Sequence, residues 1–471
     1  MRQTITHIKH RLAIVAGLAI LITGCQASDP LAQWENPGLA QRLQQISEQG
    51  LSDESRWQAT QAPVDDTTVQ GLVEASLISN PEIVAGRRRI ERLRERIPQA
   101  NALDDPRVAV TAGDLAQTAA GQVDYIVSFT QALPYPGTLD ARAAVAEQEV
   151  LTATAELLDS MQHVAAEVRS LYWRRYAVAR AVEVTEQDKQ ILGQIAEVIQ
   201  ARARVGSADQ ADQLRVALRL AELEQQLDRL HQEQRSLDAM INRLLNRDVA
   251  IPLPEPAAAQ WVDSPTDREQ ALRDAEVRNP AVMIQRRRVE GYRHRFKLAQ
   301  TERQPDLSMG VQYAGVGSDG LSPVANGDDQ WGFTVGVSLP FWSDRYDAME
   351  REALHGIGET LAQLDAAQGR AANLVEDALA RMDAERSMLR RYNEQMLPDA
   401  RRTLDLSLAG YAAGTESFIQ MMDDWQRTLD LELATHRAHA RYEQALSDLQ
   451  AATGFDVAGQ PAEHPTGAND E

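Results

Sequence analysis

Two spacings of apolar residues divide this chain. From Leu139 to Arg204 there is no proline and a single glycine, Gly193, and Leu157, Met161, Val164, Val168 and Leu171 recur at steps of 4, 3, 4 and 3. That is the seam of a helix lying on a partner helix. The partner follows at once, with Leu214, Leu218, Ala221, Leu223, Leu227, Leu230, Leu237, Ile241 and Leu244 at similar steps. A helix of about 65 residues reaches about 100 Å at roughly 1.5 Å per residue. The break at Arg204-Val205-Gly206-Ser207 is therefore expected at the tip of an antiparallel hairpin. The second spacing is strict alternation. Tyr125, Val127, Phe129 and Leu133 fall on one face, against Ser128 and Thr130. Leu307, Met309, Val311 and Tyr313 likewise face away from Ser308, Gly310 and Gln312. Trp331, Phe333, Val335, Val337 and Leu339 alternate with Gly332, Thr334, Gly336 and Ser338. A period of two predicts strands with one apolar face and one small or polar face.

The order of elements repeats. Asn80-Pro81, Arg87-Arg88-Arg89 and Glu91 recur 199 residues later as Asn279-Pro280, Arg286-Arg287-Arg288 and Glu290, six identities in twelve positions, and Pro106 matches Pro305. The offset grows to 206 at Leu133-Pro134 against Leu339-Pro340 and to 208 at Gly206 against Gly414. A few loop insertions would give that drift. A unit of about 200 residues is too long for a short solenoid repeat and reads as two tandem copies of one module. Each copy opens on a helix at Asn-Pro, because proline suits the first helical turn. Two strands follow, then a long helical hairpin, whose second tip is Tyr411-Ala412-Ala413-Gly414-Thr415. The expected copies are residues 67–250 and 266–455, joined at 251–265 by a linker holding Pro252, Pro254, Pro256 and Pro265. Short external loops are expected at 117–122 and 317–327, and a disordered tail at 456–471.

The amino terminus carries a different signal. Arg2, Lys9 and Arg11 precede an apolar run of 11 residues, Leu12 to Ile22. The run is too short to span a bilayer as a helix and has the length of a signal-peptide core. Ile22-Thr23-Gly24-Cys25 resembles the bacterial lipobox, where cleavage precedes a cysteine that is then acylated. On that reading residues 1–24 are a signal peptide, Cys25 is the lipidation site and residues 25–66 are an anchored tether. An ordinary secretory signal with an incidental cysteine is the alternative. Acyl chains anchor by burying methylenes at about 0.8 kcal/mol each. Resemblance to bacterial lipoproteins implies that Gln26 permits sorting to the outer membrane. Cys25 is the one cysteine of the chain, which excludes internal disulfides and cysteine-based zinc clusters. Lys and Arg number 48 against 69 Asp and Glu, a net charge of −21. Such an excess of acid excludes nucleic acid as a partner.

A soluble sandwich would also alternate apolar with polar. Strands of about ten residues with aromatics near their ends (Tyr125, Tyr313, Trp331, Phe341 and Trp342) suit an outer-membrane barrel instead. Four strands cannot enclose a pore, and every edge in lipid must be paired. A barrel would therefore be shared between chains.

Taken together, these residues resemble the TolC-type outer-membrane efflux factors over nearly all of the mature length. The resemblance is carried by both Asn-Pro helix starts, Gln131-Ala132-Leu133-Pro134-Tyr135-Pro136-Gly137, Val337-Ser338-Leu339-Pro340-Phe341 and the two glycine tips. It implies a mainly α fold with a membrane β-barrel, in which a homotrimer builds one twelve-stranded barrel above an α-helical periplasmic tunnel. The implied partners are a periplasmic adaptor protein, an inner-membrane RND pump and outer-membrane lipid, with no cofactor and no enzymatic activity. The Pro-Tyr-Pro-Gly turn and Tyr411 to Phe418 look most like the heavy-metal efflux branch. By position, Val205, Gly206, Ala413 and Gly414 are adaptor-contact tips. Asp423, nine residues after Gly414, matches an acidic periplasmic gate that Asp424 would widen, while Gln420 departs from the usual acid. A solvated helix face is the plain alternative for the Asp423-Asp424 pair.

Other candidates carry less. His436 and His439 have metal-ligand spacing but are expected on a helix surface, and Met421-Met422 reads as packing. The two arginine triplets are expected to pair between neighbouring helices. No catalytic triad, paired catalytic carboxylates or phosphate-binding loop stands out. Multidrug or type I protein export on the same fold remains open. So does a structural coiled-coil surface lipoprotein.

Overall fold

A computed structural model describes residues 67–454, apart from 114, 116, 205–209, 260, 264–265, 319, 322–323 and 325–326. Cys25, the tether, Val205, Gly206 and the tail lie outside the described residues. All described residues belong to one compact unit.

The first copy runs α1 (Val69–Ser79), α2 (Pro81–Arg94), α3 (Arg96–Ala100), β1 (Arg107–Ala112), β2 (Gln117–Thr118), β3 (Gly121–Leu133), α4 (Thr138–Arg204) and α5 (Gln210–Leu244). The second runs α6 (Arg268–Arg278), α7 (Pro280–Glu302), β4 (Asp306–Val316), β5 (Gln330–Ser338), α8 (Ser343–Arg391), a π-helical turn (Tyr392–Met396), α9 (Leu397–Ala413) and α10 (Phe418–Thr453). The π turn sits immediately before Pro398, whose missing N–H and bulky ring spoil the regular α ladder.

Both Asn-Pro pairs start helices, and both asparagines are buried N-caps. Asn80 Oδ1 accepts from the Glu82 amide at 2.9 Å, and its Nδ2 donates to the Leu244 carbonyl at 3.1 Å. Asn279 Oδ1 accepts from the Ala281 amide at 3.0 Å, and its Nδ2 donates to the Ala452 carbonyl at 2.9 Å. One side chain thus satisfies an orphan donor at a helix start and ties that start to the return helix of its own hairpin.

The helices form a layer in which α2 packs on α4, α4 on α7 and α7 on α8, while α10 lies against both α4 and α8. Between α8 and α10 the core is rich in alanine: Ala367, Ala371, Val375 and Ala378 face Ala438, Tyr442, Ala445 and Leu449. Short side chains let long helices approach closely. The first hairpin is closed differently. Arg175, 2% exposed, donates from Nε to Asp238 at 2.5 Å and from Nη2 to the Leu253 carbonyl at 2.7 Å. The proline-rich linker is therefore laid along the bundle, where Tyr176 Oη also donates to the Ala259 carbonyl at 3.1 Å. One expected seam needs correction. Leu214 and Leu218 are exposed, and Val216 is the buried residue beside the tip, because the inward face of α5 is offset from those leucines there.

No described helix is long and apolar enough to cross a membrane.

Candidate functional site

The sheet has the order β1-β3-β4-β5, all antiparallel, with the short β2 pairing to β3. Its register assembles the alternating residues into rows. Val108, Phe129, Val311 and Phe333 lie side by side across four strands, and Val110, Val127, Tyr313 and Trp331 form the next row. Most of this face is exposed, Phe333 to 84%. Burying such a face is worth about 25 cal/mol per Å², so leaving it bare in water is costly.

Aromatic residues close both ends. Tyr125, Tyr313 and Trp331 stack across strands, with ring centroids 6.1 and 5.0 Å apart. Tyr135, Phe341 and Trp342 lie exposed just past the other end. Ten residues from Trp331 to Phe341 cover about 33 Å along a strand, or about 25 Å of height at a tilt near 40°. That height matches the apolar band of an outer-membrane barrel.

The opposite face carries Ser128, Thr130, Ser308, Gly310, Gln312, Gly332, Thr334 and Gly336. A Cβ at Gly310 would sit 3.1 Å from the Phe129 carbonyl oxygen, and one at Gly332 would sit 2.8 Å from Gln312 Nε2. The glycines leave room for the neighbouring strands' atoms on this face. Among the described residues, β1 and β5 each have a neighbour on one side only.

At the far end of the molecule, α9 ends at Ala413 and Gly414 takes the left-handed conformation, φ 78°, that reverses the chain. Ser417 then caps α10 by accepting from the Gln420 amide at 3.2 Å. Asp423 is exposed and lies 3.6 Å from Arg427 on its own helix. Asp424 is buried inside the hairpin. Ser407 Oγ of α9 donates to its Oδ2 at 2.5 Å, and Gln420 Nε2 donates to both oxygens at 3.3 Å. The expected role of Asp424 in widening an acidic ring is therefore corrected: its carboxylate is committed to the helix–helix contact and is turned away from solvent.

At the next residue, a contact joins the two copies that the spacing of residues did not reveal. Trp425, fully buried, donates from Nε1 to Asp188 Oδ1 on α4 at 3.1 Å. Burial pushes the Asp188 carboxyl up to about 7, helped by Glu432 and opposed by the Trp425 hydrogen bond and Arg219. Sequence offered one signal, an aspartate on an otherwise apolar helix face.

The histidines also need correction. His439 is buried against Trp173 and Tyr176, with ring centroids 5.5 Å away in both cases, and His436 is half-buried. Packing against two aromatics fixes His439, whatever its spacing from His436. Among the described residues no group of three or more His, Cys, Asp or Glu is placed to hold a metal ion. Met421 is buried in the tip core, as its packing role required.

The pattern of the outer membrane efflux protein family matches residues 72–247 and 271–455, one match per copy. This chain belongs to that family. A curated relative, protein CyaE of Bordetella pertussis, is 24% identical over 294 residues, covering 59% of this chain and 61% of its own length. The chain thus matches less than two thirds of that relative. The solved structure of outer membrane protein VceC from Vibrio cholerae shares the fold at a TM-score of 0.67 and 18% identity, over 82% of this chain and 96% of its own. CusC, whose crystal structures concern transmembrane channel formation, matches at 0.68 and 16% identity, over 83% and 92%. The efflux protein therefore has the two-copy helix, strand and helical-hairpin fold that its spacings predicted.

Proposed function

We propose that this efflux protein is the outer-membrane channel of a tripartite efflux system, a passive conduit that receives its cargo from an inner-membrane RND pump through a periplasmic adaptor. The carrying observation is the exposed apolar face of the sheet, bounded by aromatics at both ends and backed by small and polar residues. Three copies pairing β5 of one with β1 of the next would close a twelve-stranded barrel with no free edge. The helices beneath continue the wall as a tunnel. The same reading makes residues 1–24 a signal peptide and Cys25 a lipid anchor. It makes the tips at Val205-Gly206 and Ala413-Gly414 the adaptor contacts, and Asp423, exposed near its tip, the gate residue, repeated threefold around the axis. A heavy-metal cargo is the finer reading, and it rests on the Pro-Tyr-Pro-Gly and Tyr411 to Phe418 resemblances.

Crosslinking in native membranes tests the assembly: a trimer in the outer-membrane fraction is expected, and a monomer or dimer elsewhere would end the channel reading. Growth of a deletion strain tests the cargo. Sensitivity to copper, silver, zinc, cobalt or cadmium supports metals, whereas sensitivity to dyes with unchanged metal tolerance overturns them.

A further inference from the structure

Two of the arginines recur in both copies, but their acids occur in one. Arg89 and Arg288, equivalent at the 199 offset, both reach Glu156 on α4, at 2.6 and 3.0 Å. Arg96 and Arg295, also equivalent, both reach Glu149, at 3.3 and 3.5 Å. On α8 the offset is 207, which sets Ala146 on Ala353 and Val168 on Val375, all buried. At that offset the counterparts of Glu149 and Glu156 are Gly356 and Gln363. Two carboxylates therefore serve four guanidiniums. Arg92 adds a fifth, and no carboxylate among the described residues pairs with it. Its counterpart is Gly291, which leaves open space where a sixth long side chain would stand.

These five arginines line a trough of about 470 Å³ between α2, α4, α7 and α8, with Glu149 and Glu359 the acids on its wall. The four paired arginine side chains are each about half exposed, 42–54%. Each guanidinium has five N–H donors, so donors remain free to face the trough. Because α2, α4, α7 and α8 pack in that order, a trough that all four line lies on the concave side of their layer. On the convex side, side chains of the outer helices would splay apart. In a closed trimer the concave side is the lumen. Arg96 and Arg295 each stand eleven residues before the first strand of their copy, which sets the trough just beneath the sheet.

We infer that this trough is an anion-binding site in the tunnel wall, taking small solutes with clustered negative charge, such as diphosphate or polycarboxylate groups. Guanidinium forks match such oxygens bidentately. Threefold repetition would place fifteen arginines in one belt, against nine glutamates at Glu149, Glu156 and Glu359. Only the lumenal placement rests on the conduit reading; the binding does not.

Calorimetry on the detergent-solubilised full chain, with pyrophosphate as the probe, tests the site. One pyrophosphate per chain is expected, with Kd at least tenfold weaker in R92Q/R96Q and unchanged in R88Q. Arg88 is exposed, pairs with Glu91 and lies outside the trough. No binding by the wild-type chain, or an equal loss in R88Q, would overturn the inference. Since Arg92 and Arg96 are exposed, R92Q/R96Q should melt with the wild type. Reversal potentials across planar bilayers under a KCl gradient then separate the two readings. A loss of anion preference in R92Q/R96Q supports a lumenal belt. Pyrophosphate binding without any channel would sink the conduit reading and leave the site standing.

Discussion

The two hairpins differ in the buried pair that closes each of them near its tip. Gly206 and Gly414 are 208 residues apart, and so are the first residues of α5 and α10, Gln210 and Phe418. At that offset the buried pair Ser407 and Asp424 in the second copy replaces Ile199 and Val216 in the first, all four under 9% exposed. One tip is closed by hydrocarbon, which needs no orientation. The other is closed by a hydroxyl, a carboxylate and an amide that work only in register. The second tip also carries Trp425, bonded to Asp188 across the boundary between copies. A buried polar pair is made or broken as a unit, and breaking it leaves a desolvated group unsatisfied. If the proposed gate opens and shuts at this end, the second hairpin has the interior of the moving part and the first that of the fixed one.

Removing one partner of the polar pair should give the largest effect. Ser407→Ile leaves the Asp424 carboxylate buried with Gln420 alone and is expected to cost about 3 kcal/mol. Adding Asp424→Val, which recreates the first tip, should return the thermal melt to within about 1 kcal/mol of wild type. A double variant as unstable as the single one would break the equivalence of the tips.

Next comes Asp188. Its carboxyl sits at about 7 in the fold against 3.8 unfolded, so the folded state holds a proton that the unfolded chain has released between those values. The contribution is therefore fully present below pH 3.8, falls as pH rises toward 7 and is flat above. Asp188→Asn keeps an oxygen for Trp425 and should remove this slope, gaining up to about 4 kcal/mol over wild type at pH 8 relative to pH 4. Parallel pH–stability profiles for the two proteins would show that Asp188 is ionised in the fold.

The asparagine caps should behave alike, because each accepts from the amide two residues on and donates to a carbonyl of its own return helix, Asn279 adding only a long 3.4 Å bond from the Val282 amide. Asn80→Ala and Asn279→Ala are each expected to cost about 1–2 kcal/mol. Chemical unfolding that separates them by more than that cost would show that the copies are not equivalent at their bases. The smallest change in stability, under about 0.5 kcal/mol, belongs to Asp423→Ala, since its partner is an exposed Arg427 on the same helix. Its conductance in planar bilayers should nonetheless rise, and unchanged conductance would remove Asp423 from the gate.

Much of this molecule was legible because its periods are long and clean. A proline-free tract of heptad steps can be little other than a long helix. Alternation from Trp331 to Leu339 can be little other than a strand, and the duplicated Asn-Pro marked two helix starts whose caps the structure then supplied. The site was legible in part. Asp423 and Asp424 are neighbours in sequence, yet a helix turns by about 100° per residue, and that rotation exposes one and buries the other. Leu214 and Leu218 kept the seam's spacing but fell on its outer side for the same reason.

Local spacing along the chain by itself determined the helices, the strands and the second tip, because each depends on residues within a few turns of one another, and comparison of the chain with itself at an offset of about 200 residues determined the doubling. Only the tertiary structure decided which acids are buried, that Trp425 finds Asp188, and that arginines of both copies share Glu149 and Glu156. Those pairings join residues more than 50 positions apart, and no local period encodes which of many equivalent faces will meet.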